Sequence, residues 1–244
     1  MMKNVKYFVT VGLILICTFT NQAQNRLYGD VNEDGEVNIA DVNAVIDVIL
    51  GNGPTNSHTY VDLGLPSGTL WATCNVGAST PEEFGDYFAW GETTTKEIYD
   101  WINYKWCNGS STTLTRYCTN RSYGEVDYWT NLLPIDDAAS VNWGSLWCIP
   151  TYDQQQELML YCNWQISTSN NVSGYTVTGP NGNSLFLPFA GSASENGLFG
   201  IFWSSNFEYQ TPCIAQGICI NSGGKYGYSN SRCIGASIRA VCAL

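Results

Sequence analysis

Histidine and basic side chains are scarce in this sequence. The 244 residues include a single histidine, His58, which leaves the long region after it without one for a catalytic triad, a general base or a zinc site. Ten Lys and Arg stand against 21 Asp and Glu, a formal net charge of -11. Nucleic acids and anionic membrane surfaces bind basic protein faces, so this balance disfavours both as partners.

Several sequence patterns typical of enzymes are also missing. There is no Gly-x-Ser-x-Gly nucleophile elbow, no phosphate-binding glycine loop and no Cys-x-x-Cys pair. A glycosidase needs two carboxylates across a cleft, and nothing in the sequence selects a pair among Glu82, Glu83, Asp86 and Glu92. These absences favour a protein that binds its ligand without transforming it.

The residues that are abundant indicate a compact domain with many turns and strands. Aromatic residues make up 14% of the chain and 24 residues are glycine, whereas only 13% are charged. This profile argues against a coiled coil and against a disordered chain.

The first residues follow the order of a secretory signal. Lys3 and Lys6 precede an apolar run over residues 7–16, and polar residues follow it. A membrane-spanning helix needs roughly 20 apolar residues, so this run is too short to span. We expect residues 1–23 to be a signal peptide, and the protein to be exported to the periplasm, cell surface or medium. Lipidation at Cys17 is the alternative.

Residues 30–41 have the twelve-residue pattern of a calcium-binding loop. Short acidic and amide side chains alternate along it, and Gly35 allows the sharp turn at the sixth position. Apolar residues at helical spacing follow, as in the helix that flanks such a loop. Calcium takes about six to eight oxygen ligands, so the pattern predicts a Ca²⁺ site. The predicted ligands are Asp30, Asn32, Asp34, the carbonyl of Glu36, Asn38 and Asp41.

This loop and helix resemble a dockerin repeat, the calcium-binding module that docks onto cohesins in polysaccharide-degrading assemblies. Asp41 in the last ligand position is the dockerin form, whereas ordinary EF-hands have a glutamate there. The resemblance implies a half-dockerin, a single dockerin-like repeat, over residues 24–51, followed by a linker over residues 52–59. It also implies a cohesin-like partner, although Ile39 and Ala40 occupy positions where many dockerins have hydroxyl residues.

Residues 60–244 are expected to form one α+β domain. Short apolar runs between turn signals predict strands near residues 69–73, 174–178, 184–189 and 218–221. The segment Gly179–Gly182 predicts a hairpin turn between two of them. Helices are predicted over residues 136–143 and after Thr151, which forms a capping-box pattern with Gln154.

Long motifs of this region lie at residues 60–78, 85–92, 137–139, 149–151 and 203–205. They resemble the Fibrobacter succinogenes major paralogous domain, found in surface and secreted proteins of Bacteroidetes. The resemblance implies a C-type-lectin-like fold, shared with formylglycine-generating enzymes, of short antiparallel strands with two helices. It implies no general enzymatic activity.

In such a fold the C-terminal stretch forms an exposed ligand face. This stretch also resembles the variable regions of diversity-generating-retroelement targets, although ordinary drift explains the same residues. The motifs of calcium-bridged sugar binding, Glu-Pro-Asn and Trp-Asn-Asp, are absent. We expect a glycan or surface-protein ligand at these candidate residues: Glu208, Tyr209, Gln210, Tyr226, Tyr228, Asn230 and Arg232.

The tryptophans divide into two groups. Those inside the motifs are expected in the core: Trp71, Trp90, Trp143, Trp147 and Trp203. Those of a later aromatic-rich insert either form a sugar-stacking platform or pack against the domain: Trp101, Trp106 and Trp129.

Nine cysteines follow the leader, and an exported protein is expected to pair some of them. Cys107 with Cys118 and Cys74 with Cys242 are the predicted disulfides. Formylglycine-generating enzymes hold copper between two cysteines, and Cys213 and Cys219 are the candidates for such a pair here. We expect instead that both are surface-loop cysteines or form a disulfide.

The sequence therefore predicts a secreted, non-enzymatic binding protein with a lectin-like face and a calcium-binding repeat. The alternative is an accessory subunit of a polysaccharide-degrading system that is docked through the dockerin-like repeat. An enzyme of the formylglycine-generating type is the third and least favoured hypothesis.

Overall fold

The structure, a computed structural model, describes residues 42, 58–194 and 197–242. Val42 is helical and half exposed. The predicted signal peptide, most of the dockerin-like repeat and residues 52–57 of the linker lie outside the described residues. So do the six predicted calcium ligands: Asp30, Asn32, Asp34, Glu36, Asn38 and Asp41.

Short strands dominate the described part of the chain, with two α-helices and one 3-10 helix. The strands are β1 (Tyr60–Asp62), β2 (Leu70–Ala72), β3 (Trp147–Cys148), β4 (Asn163–Ser169), β5 (Val172–Thr178), β6 (Ser184–Pro188), β7 (Phe199–Phe207), β8 (Ile214–Asn221), β9 (Gly224–Ser231) and β10 (Val241–Cys242). The helices are a 3-10 turn (Pro134–Asp136), α1 (Ala138–Trp143) and α2 (Tyr152–Tyr161).

The strands form three small antiparallel sheets, in the orders β1-β2-β10-β3, β4-β5-β6 and β7-β8-β9. Because β10 lies between β2 and β3, the sheet joins the first and last strands of the described region. Small antiparallel sheets with few helices are compatible with the predicted α+β class and also with a mainly β fold. The C-type-lectin-like assignment stays a prediction.

Tryptophans tie distant motifs together in the core. The indole of Trp90 donates to the carbonyl of Ser204 at 2.9 Å, and the indole of Trp203 donates to the carbonyl of Phe88 at 2.9 Å. The motifs at 85–92 and 203–205 are therefore joined by reciprocal hydrogen bonds. All five tryptophans predicted in the core are buried, as expected: Trp71, Trp90, Trp143, Trp147 and Trp203.

Asp137 begins α1 and fixes the segment that follows it. One carboxylate oxygen accepts from the amides of Ala139 and Ser140 at 2.8 and 3.0 Å, and the other accepts from Ile149 at 2.8 Å. The helix begins at Ala138, two residues later than predicted, because Asp137 is its N-cap and a 3-10 turn precedes it. Burial raises the pKa of this carboxyl to about 6.

The predicted capping box at α2 is confirmed. The Thr151 hydroxyl accepts from the Gln154 amide at 3.2 Å, and the Gln154 side chain accepts from the Thr151 amide at 2.8 Å. The helix packs against one face of the β7-β8-β9 sheet, where the Gln155 amide donates to the Trp203 carbonyl at 3.0 Å. A Cβ on Gly227 of β9 would lie 2.2 Å from the Tyr152 hydroxyl, so this contact requires glycine.

The insert, residues 93–131, has no helix or strand and is held by its aromatic side chains. Tyr104 and Tyr117 are fully buried, and the indole of Trp106 donates to the Gly91 carbonyl at 2.6 Å. Trp101 packs edge-on against Tyr104. The structure thus favours packing over a sugar platform for these residues. Among the aromatic side chains of the insert, Tyr128 and Trp129 near its end are exposed.

Neither predicted disulfide is present, and all nine described cysteines are thiols. The thiol of Cys107 donates to the Trp101 carbonyl at 3.1 Å, and the thiol of Cys118 donates to the Asn120 carbonyl at 3.3 Å. The thiol of Cys74 donates to the Ala78 carbonyl at 3.3 Å.

Within the part of the chain that is described, no helix combines the length and apolarity that crossing a membrane requires.

Candidate functional site

An open groove lies on the face of the β7-β8-β9 sheet opposite α2, here called the outer face, part of which packs in the core through Trp203. It has a volume of about 760 Å³. One wall comes from Ser192, Ser194, Leu198 and Phe199, and the floor and other wall come from the three strands. Glu195 and Asn196 of that segment lie outside the described residues.

Strand register determines which side chains reach the groove. Tyr226 and Tyr228 of β9 pair with Cys219 and Gly217 of β8, and Ile201 of β7 pairs with Cys219 from the other side. Since alternate residues of a strand point to the same face, these side chains share the outer face. Gly217, opposite Tyr228, lies so close to β7 that an added Cβ would be 2.3 Å from the Phe202 carbonyl oxygen.

The groove's hydroxyl groups are held by neighbouring amides. Asn221 donates to the Tyr226 hydroxyl at 3.2 Å, and the Asn230 amide donates to the Tyr228 hydroxyl. A hydrogen bond with the Cys219 thiol raises the pKa of Tyr226 to about 12, so this phenol stays neutral at physiological pH. The Tyr228 oxygen accepts from Asn230, so its own O–H can donate to a ligand, whereas the O–H of Tyr226 is directed to the Cys219 sulfur.

The lining of the groove is polar but uncharged. Its described hydrogen-bonding groups are hydroxyls and amides, and its apolar part includes Leu198 and Phe199. Tyr226 is 46% exposed and Leu198 80% exposed, so an aromatic face and an aliphatic side chain are open to contact. This combination suits a neutral, hydroxyl-rich ligand, and the described lining includes no Asp, Glu, His, Lys or Arg.

Three of the predicted ligand residues lie away from the groove. Glu208 accepts from the Ser229 hydroxyl at 3.0 Å, on the opposite face of β9. The carbonyls of Tyr209 and Gln210 accept from Thr119 and Asn120 of the insert, the latter at 2.8 Å. These residues join the β7–β8 connection to the insert.

Arg232 is fully buried and serves the fold. Its guanidinium donates to the Tyr104 hydroxyl at 2.9 Å and to three carbonyls at 2.8–3.1 Å, and it stacks over Trp90. A ligand in the groove cannot reach it. Of the predicted residues, the structure therefore brings together Tyr226, Tyr228 and Asn230.

Sequence reasoning missed the wall of the groove. Ser192 and Ser194 lie in a stretch rich in Ser, Gly and Asn, which signals a loop but not its position. The apolar alternation of Phe199, Ile201 and Trp203 could have indicated a strand with one apolar face. It could not have indicated that this face opens into a groove.

The cysteines do not form a copper site. Cys213 immediately precedes β8 and Cys219 lies within it. A strand rises about 3.3 Å per residue, so residues six apart on it are separated by roughly 20 Å. Two thiols at that separation cannot bind one ion. Among the residues the structure covers, there is no group of three or more His, Cys, Asp or Glu side chains that could hold a metal.

Comparison with known protein families gives one match. A family model for the dockerin type I domain matches residues 28–64, a stretch that includes the predicted calcium loop. Dockerin type I domains bind calcium and dock onto cohesins, and the proteins that bear them are typically extracellular or on the cell surface. No curated protein and no solved structure matches the chain.

The end of this match reaches into the described domain. Tyr60–Asp62 forms β1 and pairs with β2, so the last matched residues belong to a sheet of the C-terminal region. His58, just before β1, stacks on Trp143 with ring centroids 3.9 Å apart. Burial lowers the pKa of this histidine, which favours a neutral ring in the stack.

Proposed function

We propose that this protein is a non-enzymatic binding component of an extracellular polysaccharide-degrading assembly. The dockerin type I match over residues 28–64 carries this proposal, since dockerins attach proteins to cohesin-bearing partners. The calcium-loop pattern Asp30–Asp41 lies inside the matched stretch and supplies the ligands that such a module uses. The C-terminal domain then supplies the binding activity that is brought to the assembly.

Docking is tested with purified full-length protein and immobilised type I cohesins. Binding is expected in millimolar calcium and lost in chelator. The double variant Asp30→Ala, Asp34→Ala removes two carboxylate ligands and should abolish binding. Asp153→Asn, at an exposed position of α2, should leave binding unchanged. Failure to bind any cohesin in the presence of calcium would refute the docking part of the proposal.

The groove is the proposed binding site for a neutral glycan. Sugar rings present apolar faces that stack on aromatic rings and hydroxyls that bond to amides and phenols, and the groove offers both through Tyr226, Tyr228 and Asn230. The net charge of -11 would oppose acidic polysaccharides. Neutral plant polysaccharides such as xylan and galactomannan are therefore the expected ligand class.

Affinity electrophoresis in gels containing neutral polysaccharides tests this part. The wild-type protein should be retarded, and Tyr226→Ala should lose most of the retardation. Tyr128→Ala removes a tyrosine that is 71% exposed on the insert and serves as the matched control. Equal loss in both variants, or no retardation of the wild type by any neutral polymer, would contradict the assignment and favour a surface-protein ligand.

The separation of Cys213 and Cys219 argues against the third hypothesis, a copper enzyme of the formylglycine-generating type. A non-enzymatic role for the domain remains part of the proposal. Turnover of a substrate that is lost on a single substitution in the groove would overturn it.

A further inference from the structure

We propose that Cys118 with Cys213 and Cys107 with Cys233 form two disulfide bonds that fasten the insert to the base of the β8–β9 hairpin. Cys213 immediately precedes β8 and Cys233 follows β9. Both partners lie on the insert. The inference rests on the extracellular location in the proposed function, because exported proteins meet oxidising conditions.

The first pair lies where two segments run side by side. Nη1 of Arg232 donates to the Tyr117 carbonyl at 3.0 Å and to the Pro212 carbonyl at 2.8 Å, so these carbonyls meet at one nitrogen. Cys118 and Cys213 are the next residues after them. One and two residues beyond Cys118, Thr119 and Asn120 donate to the carbonyls of the segment that leads to Cys213. The backbones are therefore held together on both sides of the pair.

Tyr104 links the regions of the second pair, because its hydroxyl contacts Arg232 and its carbonyl contacts Cys107. Nε of Arg232 donates to the Tyr104 hydroxyl at 2.9 Å, and the Cys107 thiol lies 3.6 Å from the Tyr104 carbonyl. Cys233 is the residue after Arg232. All four cysteines belong to one apolar cluster between insert and hairpin, in which Cys107 is partly buried and the other three are buried.

Electrostatics agree with this pairing. The pKa of Cys213 is raised mainly by burial and further by Cys118, and the pKa of Cys233 is raised to about 11, mainly by burial and further by Cys107. An electrostatic effect of one thiol on another requires that the two lie near each other.

Cys148 and Cys242 are also neighbours, but their side chains cannot join. Val241 pairs with Cys148, and Cys242 pairs with Trp147, on adjacent strands. Successive side chains of a strand point to opposite faces, so the two thiols lie on opposite sides of the sheet. Proximity alone therefore does not select a pair, whereas the four cysteines of the insert and hairpin share one cluster.

The bond-forming step needs an oxidant from outside the protein. One cysteine thiolate attacks the disulfide of an oxidoreductase of the export route and forms a mixed disulfide with it. The second thiolate then attacks this mixed disulfide and releases the reduced oxidoreductase. Two thiols are oxidised to one disulfide, and the oxidant's disulfide is reduced to two thiols that take up the two protons. Because burial raises the pKa of three of these four cysteines in the folded domain, the exchange is expected while the chain is still folding.

Two such bonds would fix both strands of the hairpin at one end. β8 and β9 contribute Cys219, Tyr226 and Tyr228 to the groove, so the bonds would hold one wall of the groove in place relative to the insert. The hairpin's far turn, near Asn221, would remain free to adjust to a ligand.

The test is a disulfide map of the full-length protein exported through a bacterial periplasm. Free thiols are alkylated without reduction, and the digest is analysed by mass spectrometry. Two cross-linked peptide pairs are expected, Cys118–Cys213 and Cys107–Cys233, each about 2 Da lighter than its reduced peptides. Alkylation of these four residues, or a cross-link from any of them to another cysteine, would overturn the proposal. The result does not depend on cohesin or glycan binding.

Variants separate the two bonds. Cys118→Ala should expose Cys213 to alkylation and leave the other cross-link intact, whereas Cys162→Ala should change neither. If Cys118→Ala does not fold, hydrogen exchange of the wild type gives a second measurement. Reduction should then speed exchange in residues 214–231 by about tenfold or more, and unchanged exchange would count against the proposal.

Discussion

Arg232 shows how one buried side chain organises the C-terminal half of the molecule. Its guanidinium binds two carbonyls of the insert, the carbonyl of Pro212 and the Tyr104 hydroxyl. No carboxylate is among these partners, so the charge is balanced by dipoles and by the ring of Trp90. The planar fork of arginine suits this arrangement because its donors point in fixed directions.

Arg232→Lys should therefore destabilise the domain strongly. Lysine keeps the charge but cannot reach four acceptors in a plane, so buried carbonyls lose their donors. We expect the free energy of unfolding to fall by about 2 kcal/mol or more, measured by urea denaturation. Arg121→Lys, at an exposed position, is the control and should change it little. Equal stability of both variants would contradict the structural role of Arg232.

Asp137 gives the fold a pH-dependent contribution. The ordinary pKa of this carboxyl is 3.8, and burial raises it to about 6 in the folded domain. At a pH between these two pKa values, Asp137 keeps its proton in the folded state and has lost it in the unfolded state. The stabilisation by Asp137 is thus complete below about pH 4 and is lost as the pH rises through about 6.

Comparison of the wild type with Asp137→Asn isolates this effect, because the amide does not titrate. We expect the stability of the wild type relative to the variant to fall by about 2 kcal/mol between pH 4 and pH 6.5. Urea midpoints measured across this range provide the test. A difference that is constant with pH would show that Asp137 does not titrate there.

At the scale of elements, the first turn of α2 rests on local interactions. Thr151→Ala removes the acceptor for the Gln154 amide and should lower the free energy of unfolding by about 1 kcal/mol. Thr112→Ala, on an exposed turn of the insert, is a matched change without a helix cap. Thermal denaturation of both variants tests the difference, and equal midpoints would argue against the capping role.

Caps and turns, which depend on local interactions of this kind, could be predicted from the sequence. The capping box of α2 and the Gly179–Gly182 turn depend on a few adjacent residues, and Gly182 indeed has a positive φ of 88°. Strand β9 was missed because its residues Gly, Lys, Tyr, Ser and Asn resemble a loop in composition. Its position comes from pairing with β8 along its full length, which no local pattern contains.

The ligand face was predicted only in part for the same reason. Tyr226, Tyr228 and Asn230 alternate along one strand, so a strand assignment places them on one face. Arg232 follows the same alternation, yet the strand ends at Ser231 and the side chain turns into the core. Which cysteines approach one another likewise depends on tertiary contacts between the insert and the hairpin.

At the scale of the whole molecule, docking and ligand binding are assigned to separate regions of the chain. The predicted calcium ligands fall within residues 30–41, and the groove is formed after residue 190. Removal of calcium should therefore abolish cohesin binding and leave glycan binding by the groove unchanged. Affinity electrophoresis with and without chelator measures the second property. Loss of both cohesin binding and glycan binding on removal of calcium would contradict the assignment of these activities to separate regions.

The most direct test joins both activities in one measurement. Cohesin-coated beads are mixed with full-length protein and a soluble neutral polysaccharide, and the retained protein and sugar are quantified. In calcium, both should be retained by the wild type, and Tyr226→Ala should retain the protein without the sugar. Chelator should release both. Beads that retain neither protein nor polysaccharide in calcium would contradict the account that this chain brings a glycan-binding domain to a cohesin.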